Sequence, residues 1–242
     1  MLLQSAGPRA RRPLLALDPE LGAELTPERF LQAQAQLGVD VVELDPGAID
    51  HVDPASTGLL LVRGVLARAI VSGDEVAATE LLGPGDLLRP RGGQDADLLE
   101  LEIRWEPLSR VLAAVLDRRV TQLLAHWPEI GTMLLDRVDE RAHRLAVTQA
   151  IAQLTGVERR LHALLWHLAA RFGRVTPDGV VVPLALSHQR LGELIGARRP
   201  TVSTALGVLV RQGSLRRRSD GGWLLTGAPP QRLAAEALAR PA

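Results

Sequence analysis

The chain contains no cysteine and no lysine. Without thiols it can form no disulfide, no thiolate zinc site and no cysteine-ligated iron–sulfur cluster. A cytoplasmic protein fits that composition. No run of about 18 uninterrupted apolar residues is present, so a membrane-spanning helix is not expected and no membrane partner is implied. Arg9, Arg11 and Arg12 are followed only by the short stretch Leu14–Leu17, too brief for a secretory apolar core. A Walker-type loop, a Gly-x-Ser-x-Gly motif and a His/Glu metal pattern are also missing. His162 and His167 stand five residues apart, which splits them across a helix, and they read as helix-surface or satisfied core residues. Neither an enzyme nor a cofactor is expected.

What is present is unevenly placed. The chain's 28 basic residues, all arginine, balance 28 acidic ones over 242 positions. Residues 155–242 hold 13 arginines against 5 acids, a net +8, whereas residues 1–154 hold 15 against 23, a net −8. A basic half suited to nucleic acid joined to an acidic regulatory half would produce this asymmetry. Two independently solvated surfaces would produce it too.

Hydrophobic periodicity divides the chain into stretches. Pro27–Leu37 carries Phe30, Ala33 and Leu37 on one helical face. Short apolar runs follow at Val39–Leu44, Leu59–Val62, Val65–Val71, Val76–Leu82, Leu98–Trp105 and Arg110–Leu116, separated by Gly, Pro and Asp. Such spacing predicts an antiparallel β-roll or barrel. Pro128–Gln153 then has one Gly and no internal Pro, with Ile130, Leu134, Val138, Leu145 and Ala152 recurring every three or four residues, and Arg141 and Thr148 between them. These seven residues predict a long amphipathic helix whose apolar stripe meets a second copy of the chain. The same stripe could instead lie across the helix's own β-domain. Val157–Phe172 predicts a further helix ending at Gly173, and Arg174–Val182 a hairpin turning at Pro177–Gly179.

The most informative segment comes next. Ser187 stands at an N-cap position, Leu191, Leu194 and Ile195 give one apolar side, and Gly196 supplies a helix stop. Ala197 and Arg198 lead into a second helix, where Pro200 suits the first turn. Val202, Ala205, Leu206, Leu209 and Val210 form its expected buried arc, opposite Thr201, Ser203, Thr204, Gly207 and Arg211. This is a helix-turn-helix, whose second helix offers its first residues to the major groove. Arg198 and Arg199 stand at that end, where an arginine fork matches guanine O6 and N7. Downstream, Leu215–Arg218 and Trp223–Leu225 flank Ser219–Gly222 as a wing, with Arg216, Arg217 and Arg218 expected on phosphates and Trp223 anchoring the hairpin.

The run Leu186–Leu206, LSHQRLGELIGARRPTVSTAL, resembles the helix-turn-helix signature of the Crp/Fnr family of bacterial transcription regulators. The order of β-roll, long helix and winged helix agrees over nearly the whole chain. The resemblance implies an α+β fold: a cyclic-nucleotide-binding-like antiparallel β-roll over residues 1–125, a dimerisation helix over 126–154 and a winged helix-turn-helix over 155–242. It implies a dimer on near-palindromic double-stranded DNA, with RNA polymerase as a further partner. It places Arg199, Thr201, Ser203 and Thr204 at the base-reading positions, although Thr204 stands where arginine is frequent.

Leu82–Leu87, with Gly85 and Asp86, is similar to the turn before the family's nucleotide pocket. The run after it, Leu87–Asp95, lacks the Gly-Glu pair that holds ribose, and Glu100 and Glu102 stand where a phosphate wants arginine. On the long helix Leu145 and Ala146 replace the polar pair that faces the base. Conventional cyclic AMP binding is therefore not expected, although Arg89 and Arg91 could form an anion site. His51 and His126 are the histidines available to a haem. The alternative reading is an effector-sensing module whose winged helix contacts protein.

Overall fold

The computed structural model describes residues 11–45, 49, 53, 55–73, 75–89 and 101–230. Two compact units emerge, the first running to His143 except for Ala77–Thr79, the second beginning at Arg144.

The first unit opens with β1 (Arg12–Pro13), α1 (Leu14–Leu17), a 3-10 turn over Pro19–Gly22 and α2 (Pro27–Gln36). Thr26 caps α2 by accepting the Arg29 backbone N–H, and Pro27 occupies the first turn, where its missing N–H costs nothing. Strands β2 (Gly38–Glu43), β3 (Gly58–Arg63), β4 (Leu66–Ser72), β5 (Glu75–Leu82), β6 (Leu87–Leu88), β7 (Glu102–Pro107) and β8 (Leu112–Leu116) follow. They form a five-stranded sheet in the order β1-β2-β8-β3-β6 and a three-stranded sheet in the order β5-β4-β7. Leu98–Glu100, expected to begin β7, lie outside the described residues.

Strand β3 shows why the sequence folds this way. Successive side chains point to opposite faces of a sheet. Leu59 and Leu61 enter one core with Val42, Leu66, Leu82 and Leu88. Leu60 enters another with Leu14, Leu15, Leu37, Leu116, Val120 and Trp127. A strand buried on both faces reads as a continuous apolar run, which is why the segment lacks alternation.

Helix α3 (Arg118–Leu124), capped by Asp117 on the Val120 N–H, leads into α4 (Pro128–Ala152). The first turns of α4 correct the expected dimer seam. Ile130 and Leu134 are buried in the helix-side core of their own protomer, and Arg137 and Arg141 continue the same face. Arg137 pairs with Asp18 and Glu20. Arg141 donates to both carboxylate oxygens of Glu80, at 2.6 and 2.8 Å, and to the Leu87 carbonyl at 3.2 Å. Arg68 reaches Glu80 from β4 at 3.0 Å. Burial opposes the charge on Arg141, but the Glu80 hydrogen bonds and the charges of Glu80 and Asp86 outweigh it, and its pKa moves up. The hydrogen bond to Asp18 raises that of Arg137 against its own burial.

Leu135, Val138, Ala142 and Leu145 remain exposed, spaced three, four and three residues apart. At about 100° per residue this stripe lies roughly 90° around α4 from the protomer-facing one. Of the remaining seam residues, Thr148 donates its hydroxyl to the Arg144 carbonyl, and Ala152 is half-buried at the helix end.

The second unit holds α5 (Val157–Phe172), β9 (Arg174–Thr176), β10 (Gly179–Val182), α6 (His188–Ile195), α7 (Arg199–Arg211), β11 (Leu215–Arg217) and β12 (Trp223–Leu225). Its sheet runs β11-β12-β10-β9, all antiparallel. Leu161, Leu164, Leu165 and Leu168 of α5 are buried, as are Leu191, Leu194 and Ile195 of α6 and Leu215 and Leu224 of the wing. No helix among the described residues is long and apolar enough to cross a membrane.

Candidate nucleic-acid interface

Local chemistry fixes the two helices closely. Ser187 caps α6, its hydroxyl accepting the Arg190 N–H at 3.1 Å. Gly196 ends that helix in the left-handed region at φ 65°, a conformation that costs glycine nothing. Gly192 permits the tight turn: a Cβ there would lie 2.3 Å from the Ala197 carbonyl oxygen. From α5, Arg160 donates to the carbonyls of Ile195 and Gly196 at 3.1 and 3.3 Å, satisfying the end of α6.

Helix α7 is seated by Val202, Ala205, Leu206 and Leu209, all buried. Val210 was expected inside but is 46% exposed. It lies about 80° from Val202 around the helix, at the edge of the arc, where contact with the core runs out. Val208 is half-buried. Thr201, Ser203 and Thr204 face outward beside Arg198 and Arg199. Among the described residues, the guanidinium groups of Arg198, Arg199, Arg211 and Arg216 make no hydrogen bond or ion pair, and all four are exposed. Free cations beside small hydroxylated side chains suit phosphates and base edges.

The wing divides its three arginines among different tasks. Arg217 lays its guanidinium over Trp223, 4.1 Å from the ring centroid, and Trp223 is buried as the hairpin's anchor. Burial pushes the Arg217 pKa down, with the charge of Asp220 opposing. Arg218 binds Asp220 at 3.1 Å, and Asp220 also accepts the Gly222 N–H, which holds its carboxyl below the usual range. Arg216 stays free. Arg216→Ala should therefore flatten the salt dependence of DNA affinity by about 0.9 in log–log slope at unchanged melting temperature. Arg217→Ala should weaken binding evenly across sequences and also destabilise the fold by about 0.5–1 kcal/mol. Salt titrations and thermal melts of both variants separate the two roles.

His162 is half-buried on α5 and accepts the Trp166 indole N–H at Nε2, 3.0 Å away. Burial lowers its pKa below the ordinary value of about 6.5. The folded protein keeps it neutral where the unfolded chain protonates it. Stability should then be full above about pH 6.5 and fall as the pH drops below it. Urea midpoints between pH 8 and pH 5.5 should decline less in His162→Gln than in the parent; equal declines would place the titration elsewhere.

The residues expected around an effector stand in different surroundings. Asp86 is buried, and its carboxylate accepts the Gly83 N–H at 2.8 Å. Gly85 adopts φ 88° beneath the Arg137 guanidinium. Both stand in the turn between β5 and β6. Arg89 is exposed, and Arg91 and Glu100 lie outside the described residues. Glu102 does not face the roll interior: it is 62% exposed and pairs with Arg104 on the outside of β7. Besides Asp86, Glu80 is a buried carboxylate of the roll, and sequence reasoning missed it. His51 lies outside the described residues, and His126 is exposed beside the Leu123 carbonyl. Among the described residues, no cluster of three His, Asp or Glu could hold a metal ion.

Residues 159–235 match the family model described as the Crp-like helix-turn-helix domain. The chain is 30% identical over 164 residues to the global nitrogen regulator of Synechococcus elongatus, covering 65% of this chain and 72% of that protein. It is 27% identical over 208 residues to the global nitrogen regulator of a Synechocystis strain, covering 84% and 87%. Among solved structures, a CooA mutant from Carboxydothermus hydrogenoformans superposes with a TM-score of 0.59 at 16% identity, covering 93% of this chain and 94% of that one. That likeness establishes the fold.

Proposed function

The chain belongs to the Crp/Fnr family of DNA-binding transcription regulators, and from that premise we propose that it acts as a cytoplasmic homodimer that reads a near-palindromic operator with two copies of α7. The observation that carries this reading is the outer face of α7, where Arg199, Thr201, Ser203 and Thr204 stand exposed on a helix seated by a fully buried aliphatic arc. The stripe Leu135–Val138–Ala142–Leu145 on α4 supplies apolar surface for a second copy. Twofold symmetry then spaces the half-sites by about one helical turn of DNA, roughly 34–36 Å.

No conventional cyclic AMP response is proposed. Leu145 and Ala146 offer a nucleobase no polar atom of their side chains, and the Arg141 guanidinium is already held by Glu80. RNA polymerase is the natural partner of a regulator bound upstream of a gene.

Selection from a randomised duplex pool, followed by anisotropy titration of the enriched site, tests the reading. A pool with no enriched sequence at low salt would sink it. Arg199→Ala should cost about 1–3 kcal/mol on the enriched site and relax the preference at a single base pair in each half. Uniform weakening on all sequences would make Arg199 a phosphate contact.

A further inference from the structure

His188, the first residue of α6, reaches across to the exposed face of α7. Its Nδ1 lies 2.8 Å from the Ser203 Oγ, and the same oxygen lies 3.1 Å from the Arg199 carbonyl oxygen. A serine hydroxyl has one proton and two lone pairs, while a carbonyl can only accept. One arrangement satisfies both distances: Ser203 donates to the Arg199 carbonyl, and the His188 Nδ1–H donates to Ser203. A bare Nδ1 would compete with that carbonyl for the single Ser203 proton. The proton is thus held within the protein, and the lone pair that remains on this exposed hydroxyl is left to a ligand. Thr204 shows the same habit with one partner fewer, donating to the Pro200 carbonyl at 3.2 Å.

We infer that His188 fixes Ser203 as a hydrogen-bond acceptor toward the duplex, so that the base opposite it carries an exocyclic amine. The inference rests on the proposed docking of α7 in the major groove. There, cytosine N4 and adenine N6 are donors, whereas guanine and thymine offer O6, N7 and O4, all acceptors. An acceptor-only hydroxyl facing guanine or thymine sets lone pair against lone pair. Arg199, a pure donor, selects the opposite class of edge. The two residues, four positions apart on one face of α7, form a donor and acceptor pair with complementary demands. His188 is a positioning residue in this scheme: it determines specificity through Ser203 without touching the base.

The test uses the full chain and selection from a random duplex pool at one fixed salt concentration. The parent should take cytosine or adenine at one position in each half-site. Ser203→Ala and His188→Leu should both flatten that position and leave the others intact. His188→Asn, whose amide can stand near the place of Nδ1, should restore the preference, which a merely structural role would not do. Removing the amine from the preferred base, with purine for adenine or 2-pyrimidinone for cytosine, should weaken the parent about three- to tenfold and leave Ser203→Ala unchanged.

Two results would overturn the inference while leaving DNA reading in place. One is a Ser203-dependent position that prefers guanine or thymine. The other is a His188→Leu variant with unaltered base preference and a shallower salt slope, which would make His188 a phosphate contact. If the parent enriches nothing, the underlying DNA-reading proposal fails, and this inference with it.

Discussion

Val138→Asp combined with Leu145→Asp is expected to convert the proposed dimer into monomers and to lower affinity for the full operator at least a hundredfold. Both side chains are exposed on α4, 47% and 37%, in the stripe that also contains Leu135 and Ala142. In the proposed dimer each introduced carboxylate would enter the apolar interface with no counter-charge provided for it, and the four acids of a twofold pair would add like charge to one surface. The large effect on DNA arises from avidity. Two linked half-site contacts exceed either alone by roughly 10²–10⁴ in affinity, and separated protomers lose that factor without losing a base contact. Sedimentation equilibrium should report the monomer, while binding to an isolated half-site should stay near the parent value. Ile130→Asp makes the necessary contrast. Ile130 is fully buried in the roll's own core, so that change should unfold the roll instead. A doubly substituted protein that remains dimeric would remove α4 from the interface.

Glu80→Ala should be the most destabilising single change in the β-roll outside the aliphatic core, by about 3–5 kcal/mol. The carboxylate is 9% exposed and binds two guanidinium groups, Arg68 from β4 and Arg141 from α4. Removing it leaves two poorly hydrated cations facing one another without their shared partner, and the charge of Asp86 offsets only part of the loss at Arg141. The double variant Glu80→Leu with Arg141→Met should recover much of the loss, since apolar replacement of a buried pair is often close to neutral. Urea unfolding of the three proteins decides the matter. A loss below about 1 kcal/mol in Glu80→Ala would show that the cluster is effectively solvated.

Legibility in the sequence followed the range of the interaction. Ser187, Gly196 and Pro200 announce the ends of α6 and α7 because capping and left-handed stops are settled within four residues. The strands of the roll were legible from Gly, Pro and Asp between apolar runs. The Glu80–Arg141 pair was not, because its partners are 61 residues apart and charge alone names no partner. The rotation of the α4 seam has the same cause. Periodicity finds an apolar stripe but not which body covers it, and Ile130, Leu134 and Arg141 turned out to face their own chain. Val210 shows the limit of an arc drawn on an ideal helix: its angle is right, but the core is narrower than the arc. At the wing, three adjacent arginines look alike in sequence. The Trp223 ring and the Asp220 carboxylate separate them into a stacked, a paired and a free cation.

The burial of Ile130 and Leu134 within the protomer bears on how an active regulator is assembled. The opening turns of the long helix are held in the protomer's own core, so in the proposed dimer two copies would meet as folded bodies rather than as chains that fold on contact. Dilution would then separate intact subunits, and recovery would be an encounter-limited step of about 10⁵–10⁷ M⁻¹s⁻¹. In that scheme protein concentration, not folding time, would set how quickly an operator is filled.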